Sequence, residues 1–377
     1  MNLKRLLCVL MAAAMTLSLA ACSKDEPQEA DDQNPGVQDG ADKTDDKKEE
    51  ENKEGDKQDD APADVSTMTK EQLLEAAKNE PAWGQPVVYW YDGGNCTSAP
   101  YLAEKQGYFE EYGIEVELLN GTAIKEALGT NSAQIGVSHI ASLLVPITNK
   151  VDYTFVAGAH IGCKSLYVLN DSDYQTTEDL KGTNISVPNG IGNSDYNITA
   201  ILLDADGIDP LNDVNLTPVE TSACIAAMQN GELSAALLSD TYAYKMVQDG
   251  TLRCIRSLVD DDFQNVPCCV LAMSNQFRNE NPAMARLVVD CVKRGGDWGR
   301  ENPEEAVQLL LDDEKISGDF DMNVELWNQL KMGLTDDFTE TGLRKIVEDY
   351  LRLGLIVSMD DADEIMDMAW NPQGYID

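Results

Sequence analysis

His139 and His160 are the only two histidines of the chain. Each follows a segment that reads as a strand, so each imidazole can face a ligand or serve as a hydrogen-bonded structural group. Beyond residue 22 stand Cys96, Cys163, Cys224, Cys254, Cys268, Cys269 and Cys291, with no CxxC and no Cys/His spacing of the zinc-binding kind. No metal is therefore expected. Cys268 and Cys269 read as small core residues of a strand rather than a redox pair. No GxSxG, HExxH or phosphate-loop pattern occurs, so neither catalytic residues nor a cofactor are expected. What remains is hydrogen-bonding chemistry from the hydroxyls of Thr97, Ser98, Ser138, Ser194, Ser239 and Thr241. Asn95, Asn193, Asp240 and the glycine turn at Gly192 stand beside them, with Tyr91 and Tyr242 as candidate aromatic walls. Such a set suits capture of a small polar solute. Thr97, Ser98, Asn193 and Asp195 also read as plain helix caps.

The elements that must position these groups alternate. Thr69 opens a helix that Pro81 ends; Val87 to Tyr91 reads as a buried strand; Pro100 opens a helix to about Gly107. Strands follow at Ile114 to Leu118, Gln134 to Val137, Tyr153 to Ala157 and Ser165 to Leu169, with helices at Ile124 to Leu128 and Ile140 to Ile147. The same grammar gives strands at Asn184 to Pro188, Val214 to Pro218 and Ala235 to Leu238, and helices at Tyr196 to Asp206 and Cys224 to Asn230. Past Val270 the strand signals fade into helices at Pro282 to Arg300, Pro303 to Leu311, Val324 to Met332, Leu343 to Leu353 and Asp360 to Met368. This order predicts an α/β protein with mostly parallel sheets and a helical C-terminal tail. In such sheets ligands sit beyond the C-terminal strand ends. There, unpaired N–H groups at helix starts favour an anionic or strongly polar ligand by about 0.3–1 kcal/mol per terminus.

The amino-terminal part carries a different message. Lys4 and Arg5 precede an apolar run from Leu6 to Ala21, the order of an export signal. Leu19, Ala20, Ala21 and Cys22 resemble a bacterial lipobox, which implies cleavage after residue 21 and a lipid on Cys22. Ser23 to Val65 holds 17 acids and 6 lysines with almost no large apolar residue, so it cannot offset its ordering entropy. Residues 23–66 are expected to be a disordered tether. The whole chain carries 67 Asp and Glu against 28 Lys and Arg, a net charge of −39, which opposes nucleic acid as a partner. Seven cysteines in the exported part is an odd number, so at least one stays outside any intramolecular pair.

Three segments in order then carry a resemblance. Tyr101 to Phe109 followed by Gly113 to Val116 is similar to the "YLAxxxGYF…GIxVE" opening of solute-binding components of nitrate/sulfonate/taurine-type ABC importers. Asp179 to Gly182 before Ile185 to Pro188 resembles that family's "DLKGxxIxVP". Ala226 to Ala236 resembles its "AALxxGxVDAA", with Leu233 and Ser234 departing from Val-Asp. The resemblance implies a bilobed periplasmic-binding-protein-like fold of type 2, two α/β lobes joined by crossing strands, with lobe 1 at 67–166 and 268–377 and lobe 2 at 167–267. The crossings would fall near Gly162 to Tyr167 and Arg256 to Val270, with hinge motion about them. It further implies a monomeric, lipid-anchored, extracytoplasmic binding protein that hands its solute to a permease driven by an ATPase. The solute classes the resemblance implies are nitrate, taurine, alkyl sulfonates, aromatic acids or a neutral thiamine-pyrimidine precursor. No loop holds an Arg pair for a sulfonate, and Lys164 is the nearest base. A surface receptor for signalling would use the same lobes. A thiamine-pyrimidine synthase is disfavoured, because those enzymes are intracellular and cysteine-rich in one cluster.

Overall fold

A computed structural model describes residues 65–376; the expected signal peptide, Cys22 and nearly all of the acidic tether lie outside the described residues. The strands are β1 (Val87–Trp90), β2 (Val116–Leu119), β3 (Ile135–His139), β4 (Tyr153–Ile161), β5 (Lys164–Leu169), β6 (Asn184–Ser186), β7 (Asn215–Thr217), β8 (Ala235–Ser239), β9 (Leu252–Ser257), β10 (Cys269–Ser274) and β11 (Lys331–Met332). They form a six-stranded sheet of order β11-β4-β10-β3-β1-β2 and a five-stranded sheet of order β7-β6-β8-β5-β9.

Both sheets are built alike. In the first, β2, β1 and β3 run parallel, while β10 lies antiparallel between β3 and β4. In the second, β7, β6 and β8 run parallel and β5 lies antiparallel between β8 and β9. The parallel strands arise from helix-linked crossovers, so they are covered by helices and read as short apolar runs. The two antiparallel insertions, β5 and β10, are the strands the chain enters as it changes sheet. It leaves the first sheet through Gly162 and Cys163 and returns through residues 258–268. This is the bilobed α/β architecture expected of a type 2 periplasmic binding protein.

Several local expectations are revised. Strand β4 continues to Ile161, so Ala159 and His160 are strand residues and not loop residues, because the tertiary pairs His160–Cys269 and His160–Met332 hold them in the sheet. Strand β5 begins at Lys164, one residue before the strand expected from Ser165. The helix expected over Val324 to Met332 is instead Phe320–Gln329, started by the Asp319 carboxylate, which accepts from Met322 N at 3.2 Å. Residues 331–332 then leave the helix to pair with β4 as an edge strand. Strand β9 and the helix Asp240–Gln248 had no clear sequence signal.

Tight packing joins the amino-terminal and C-terminal parts of the first lobe. The helix Ala99–Lys105 lies against the long helix Pro282–Glu301 at Gly295, where an added Cβ would stand 2.4 Å from Ala99 O and 2.7 Å from Ala103 N. Glu80 caps that long helix, its carboxylate accepting from Ala283 N and Met284 N at 2.7 and 2.8 Å. At the return crossing, Gly342 of the helix Asp336–Arg352 packs directly on Pro267.

Candidate functional site

The loops at the C-terminal ends of β1, β3 and β8 face each other across the crossings and enclose a cavity of about 240 Å³. Its walls are Gly94 to Cys96 after β1, His139 at the end of β3, Cys163 and Lys164 at the first crossing, Ser239 to Thr241 at the start of Asp240–Gln248, and Val259 at the return crossing. Leu326, Gln329 and Leu330 from the C-terminal region close the remaining side. A wider hollow of about 480 Å³, lined by Asp92 to Asn95, Thr241 and the segment Glu314 to Ser317, adjoins it.

Charge in the cavity wall is largely internally matched. Lys164 is ion-paired with the buried Asp195, which also accepts from Asn189 N at 2.9 Å and from Ser194 Oγ at 3.3 Å. Asp240 accepts from Tyr167 OH at 2.8 Å, and burial raises its carboxyl above the usual carboxylate range against the pull of Ser165 and Tyr167. Asn95 donates to Asn323 Oδ1 at 3.3 Å, while its own Oδ1 is buried without a hydrogen-bond partner.

The sequence candidates divide by place. Asn95, His139, Ser239, Asp240 and Thr241 line the cavity. Ser239 also caps its helix, accepting from Tyr242 N at 3.3 Å. Thr97 and Ser98 turn inward and donate to Gly93 O and Asn95 O, holding the loop after β1 in shape. Ser138 is buried within β3. Tyr91 is a core residue and not a wall of this cavity: it is 1 % exposed, packs on Tyr101 with ring centroids 5.4 Å apart, and donates to Gly94 O. Tyr242 is half-exposed and donates to Thr221 O, away from the cavity. Gly192, Asn193 and Ser194 also stand outside that lining; Asn193 receives Lys125 Nζ from the first lobe at 3.2 Å and gives no side-chain cap to its helix. His160 lines a smaller, mainly apolar cavity of about 40 Å³ on the far side of Cys96.

The absence of any metal-type spacing among the cysteines does not anticipate how the fold gathers them. His139 Nε2 lies 3.2 Å from Cys163 Sγ, and Cys163 Sγ lies 3.6 Å from Cys268 Sγ. The ligating atoms of His139, Cys163, Cys268 and Cys269 all fall within 4.8 Å of one another, as do those of Cys96, His160 and Cys163. Cys269 opens β10 and Cys268 stands just before it, yet their sulfurs also meet this cluster. The four groups come from three separate stretches of chain, which is why no spacing motif announces them. The available signal was position: a cysteine at each crossing and a histidine at a strand end. Hydrogen bonds from Cys163 and then Cys269 hold the Cys268 thiol down to about 6, whereas burial pushes Cys269 well up. Cys163 also sits at φ +101° directly after Gly162 at φ +93°, a backbone setting that costs a side-chain-bearing residue about 1–3 kcal/mol.

Residues 97–306, more than half of the chain, match the NMT1/THI5 like family. The chain belongs to that family. The matched span of this NMT1/THI5-like protein takes in the helix after β1, all of the second lobe and both crossings. No curated protein matches it at the level of sequence. Among solved structures, the alkanesulfonate-binding protein SsuA from Xanthomonas axonopodis pv. citri, bound to MOPS, superposes with a TM-score of 0.62 at 15% identity, covering 77% of this chain and 99% of that one. The periplasmic aliphatic sulphonate binding protein SsuA from Escherichia coli gives 0.62 at 16%, covering 76% and 92%. The periplasmic nitrate-binding protein NrtA from Synechocystis PCC 6803 gives 0.58 at 14%, covering 76% and 86%. At such identities the likeness is one of fold. Family and fold together place the chain among two-lobed proteins of the periplasmic-binding-protein type. Among the described residues no helix is long and apolar enough to cross a membrane.

Proposed function

We propose that this protein captures a small, neutral, donor-bearing nitrogen heterocycle of the thiamine-pyrimidine-precursor type in its cleft and delivers it to an ABC permease, tethered to the membrane through a lipid on Cys22. The observation that carries the solute class is the balance of polar groups in the cavity wall. Lys164 is spent on Asp195, Asp240 lines the space, and Asn95, which also lines it, keeps a buried Oδ1 without a hydrogen-bond partner. A nitrate or sulfonate would find a carboxyl and a carbonyl oxygen where it needs unpaired donors. An aminopyrimidine supplies N–H donors to those two oxygens and accepts from the Thr241 hydroxyl through a ring nitrogen. Its flat ring suits a wall completed by Val259, Leu326 and Leu330.

A thermal-shift screen tests this reading. A thiamine-type aminopyrimidine at 100 times its dissociation constant should stabilise the fold by about 2.7 kcal/mol, with no response to nitrate, taurine or alkanesulfonates. A response to the anions alone would reverse the assignment. For the anchor, Cys22→Ser should move the protein from a carbonate-washed membrane fraction to the soluble fraction; retention of the variant would refute lipidation.

A further inference from the structure

We propose that His139, Cys163, Cys268 and Cys269 bind one thiophilic metal ion of the zinc type at the floor of the cleft, where the two crossings meet. This goes beyond the solute reading and does not depend on which solute is carried.

Spacing supports the site first. Zinc bonds of about 2.0–2.3 Å in a tetrahedron set neighbouring ligand atoms about 3.3–3.8 Å apart. The nitrogen–sulfur distance of 3.2 Å and the sulfur–sulfur distance of 3.6 Å stand in or next to that range, and the whole set fits within 4.8 Å. A disulfide would need the sulfurs at about 2.05 Å and would leave the third thiol and the imidazole without a part. Three thiols and one imidazole make a Cys3His donor set, soft enough to prefer zinc or cuprous copper over magnesium or calcium.

A second observation comes from the histidine on the other side of Cys163. His160 is 1 % exposed; its Nδ1 lies 3.1 Å from Ile161 O, and its Nε2 is buried without a partner. A backbone carbonyl on one ring nitrogen fixes the tautomer that leaves a lone pair on the other, the arrangement found behind metal-ligating histidines. With Cys96 it extends the soft-donor patch around Cys163. The backbone at Cys163 points the same way. A glycine would relax the φ of +101°, whereas the cysteine bears that strain and places its sulfur in the cluster. Entry is open, because Cys96, His139 and Cys163 all border the cavity. On binding, the three sulfurs coordinate as thiolates, and whatever thiol protons remain pass to water. Since Cys163 lies on the outgoing crossing and Cys268 on the return, a bound ion ties the two crossings together.

The mature protein, reduced and freed of metal, is titrated with Zn²⁺ against a chromophoric chelator in the absence of any solute. One zinc per chain is expected. X-ray absorption of that wild-type complex should show three sulfurs at about 2.3 Å and one nitrogen at about 2.0–2.1 Å. Cys163→Ser and Cys268→Ser should each weaken zinc at least about 100-fold, while Cys254→Ser, in β9 and outside the cluster, leaves it unchanged. Melting curves verify that each variant folds, and the absorption measurement on the wild type stands even if one does not. Absence of zinc uptake, an oxygen-and-nitrogen shell, or wild-type affinity in Cys163→Ser would overturn the proposal. Failure of every pyrimidine to bind would refute the solute reading and leave this one intact.

Discussion

Cys268 belongs to a cluster of three sulfurs in which Cys163 and Cys268 are both held below the ordinary thiol range and Cys269 above it. The Cys268 thiol is held down to about 6 by Cys163 and then Cys269, against the cost of burial. The folded-state value lies below that of a free thiol, so ionisation adds stability above the ordinary thiol range, and this contribution is lost as pH falls through about 6. Thiolate absorbance of the reduced, metal-free protein should therefore show one early step near pH 6, and Cys268→Ser should remove it; a single rise in the range of free cysteines would contradict the cluster geometry. At this scale the sequence was readable in part. His139, Ser239 and Thr241 could be located because the ends of parallel strands are where such sheets present ligands. Tyr91 could not be excluded in advance, since whether its ring faces solvent or core depends on Tyr101, which arrives from the next helix.

Among the elements, the contact at Gly295 carries the plainest consequence. A methyl there meets backbone atoms of Ala99 and Ala103 rather than a movable side chain, so Gly295→Ala must push the helix Ala99–Lys105 away from Pro282–Glu301. Overpacking of this kind costs about 1–3 kcal/mol, outweighing the gain in helix propensity of about 1 kcal/mol, and denaturant unfolding should register the net loss. An unchanged midpoint would mean that the helices are less closely packed. The alternation of strands and helices was legible because apolar runs and capping residues are local. Strand β11 was not: two residues at the edge of a sheet are specified by their partners His160 and Ile161, not by themselves. The extension of β4 through His160 was hidden for the same reason.

For the whole molecule, the contacts that join the two lobes differ in worth. Asn197 Nδ2, buried in the helix Ser194–Ala205, donates to Ala141 O of the first lobe at 2.7 Å, and Arg352 grips Asp204 with two bonds of 2.7 and 2.6 Å at the surface. The surface pair contributes at most about 1 kcal/mol, about a fivefold shift between open and closed. Loss of the buried bond removes a donor from a helix carbonyl in the interior, at about 0.5–1.5 kcal/mol. Small-angle scattering of solute-free Asn197→Ala should accordingly show a larger radius of gyration than Arg352→Ala; equal radii would place the hinge restraint elsewhere. The two-lobe architecture was foreseeable from the ordered segments around Tyr101, Asp179 and Ala226, whereas the pairing of Lys164 with Asp195, which decides the charge of the cleft, depends on two lobe-2 segments meeting in space. That pairing leads to the central claim, that the cleft takes a neutral, donor-bearing heterocycle. Isothermal titration calorimetry of wild type and Asp240→Asn with a thiamine-type aminopyrimidine tests it most directly. Saturable one-to-one binding, weakened about 10- to 100-fold in Asp240→Asn as an amide nitrogen replaces one acceptor oxygen, is the predicted result. Wild-type binding of nitrate or an alkanesulfonate that tightens in Asp240→Asn would contradict it.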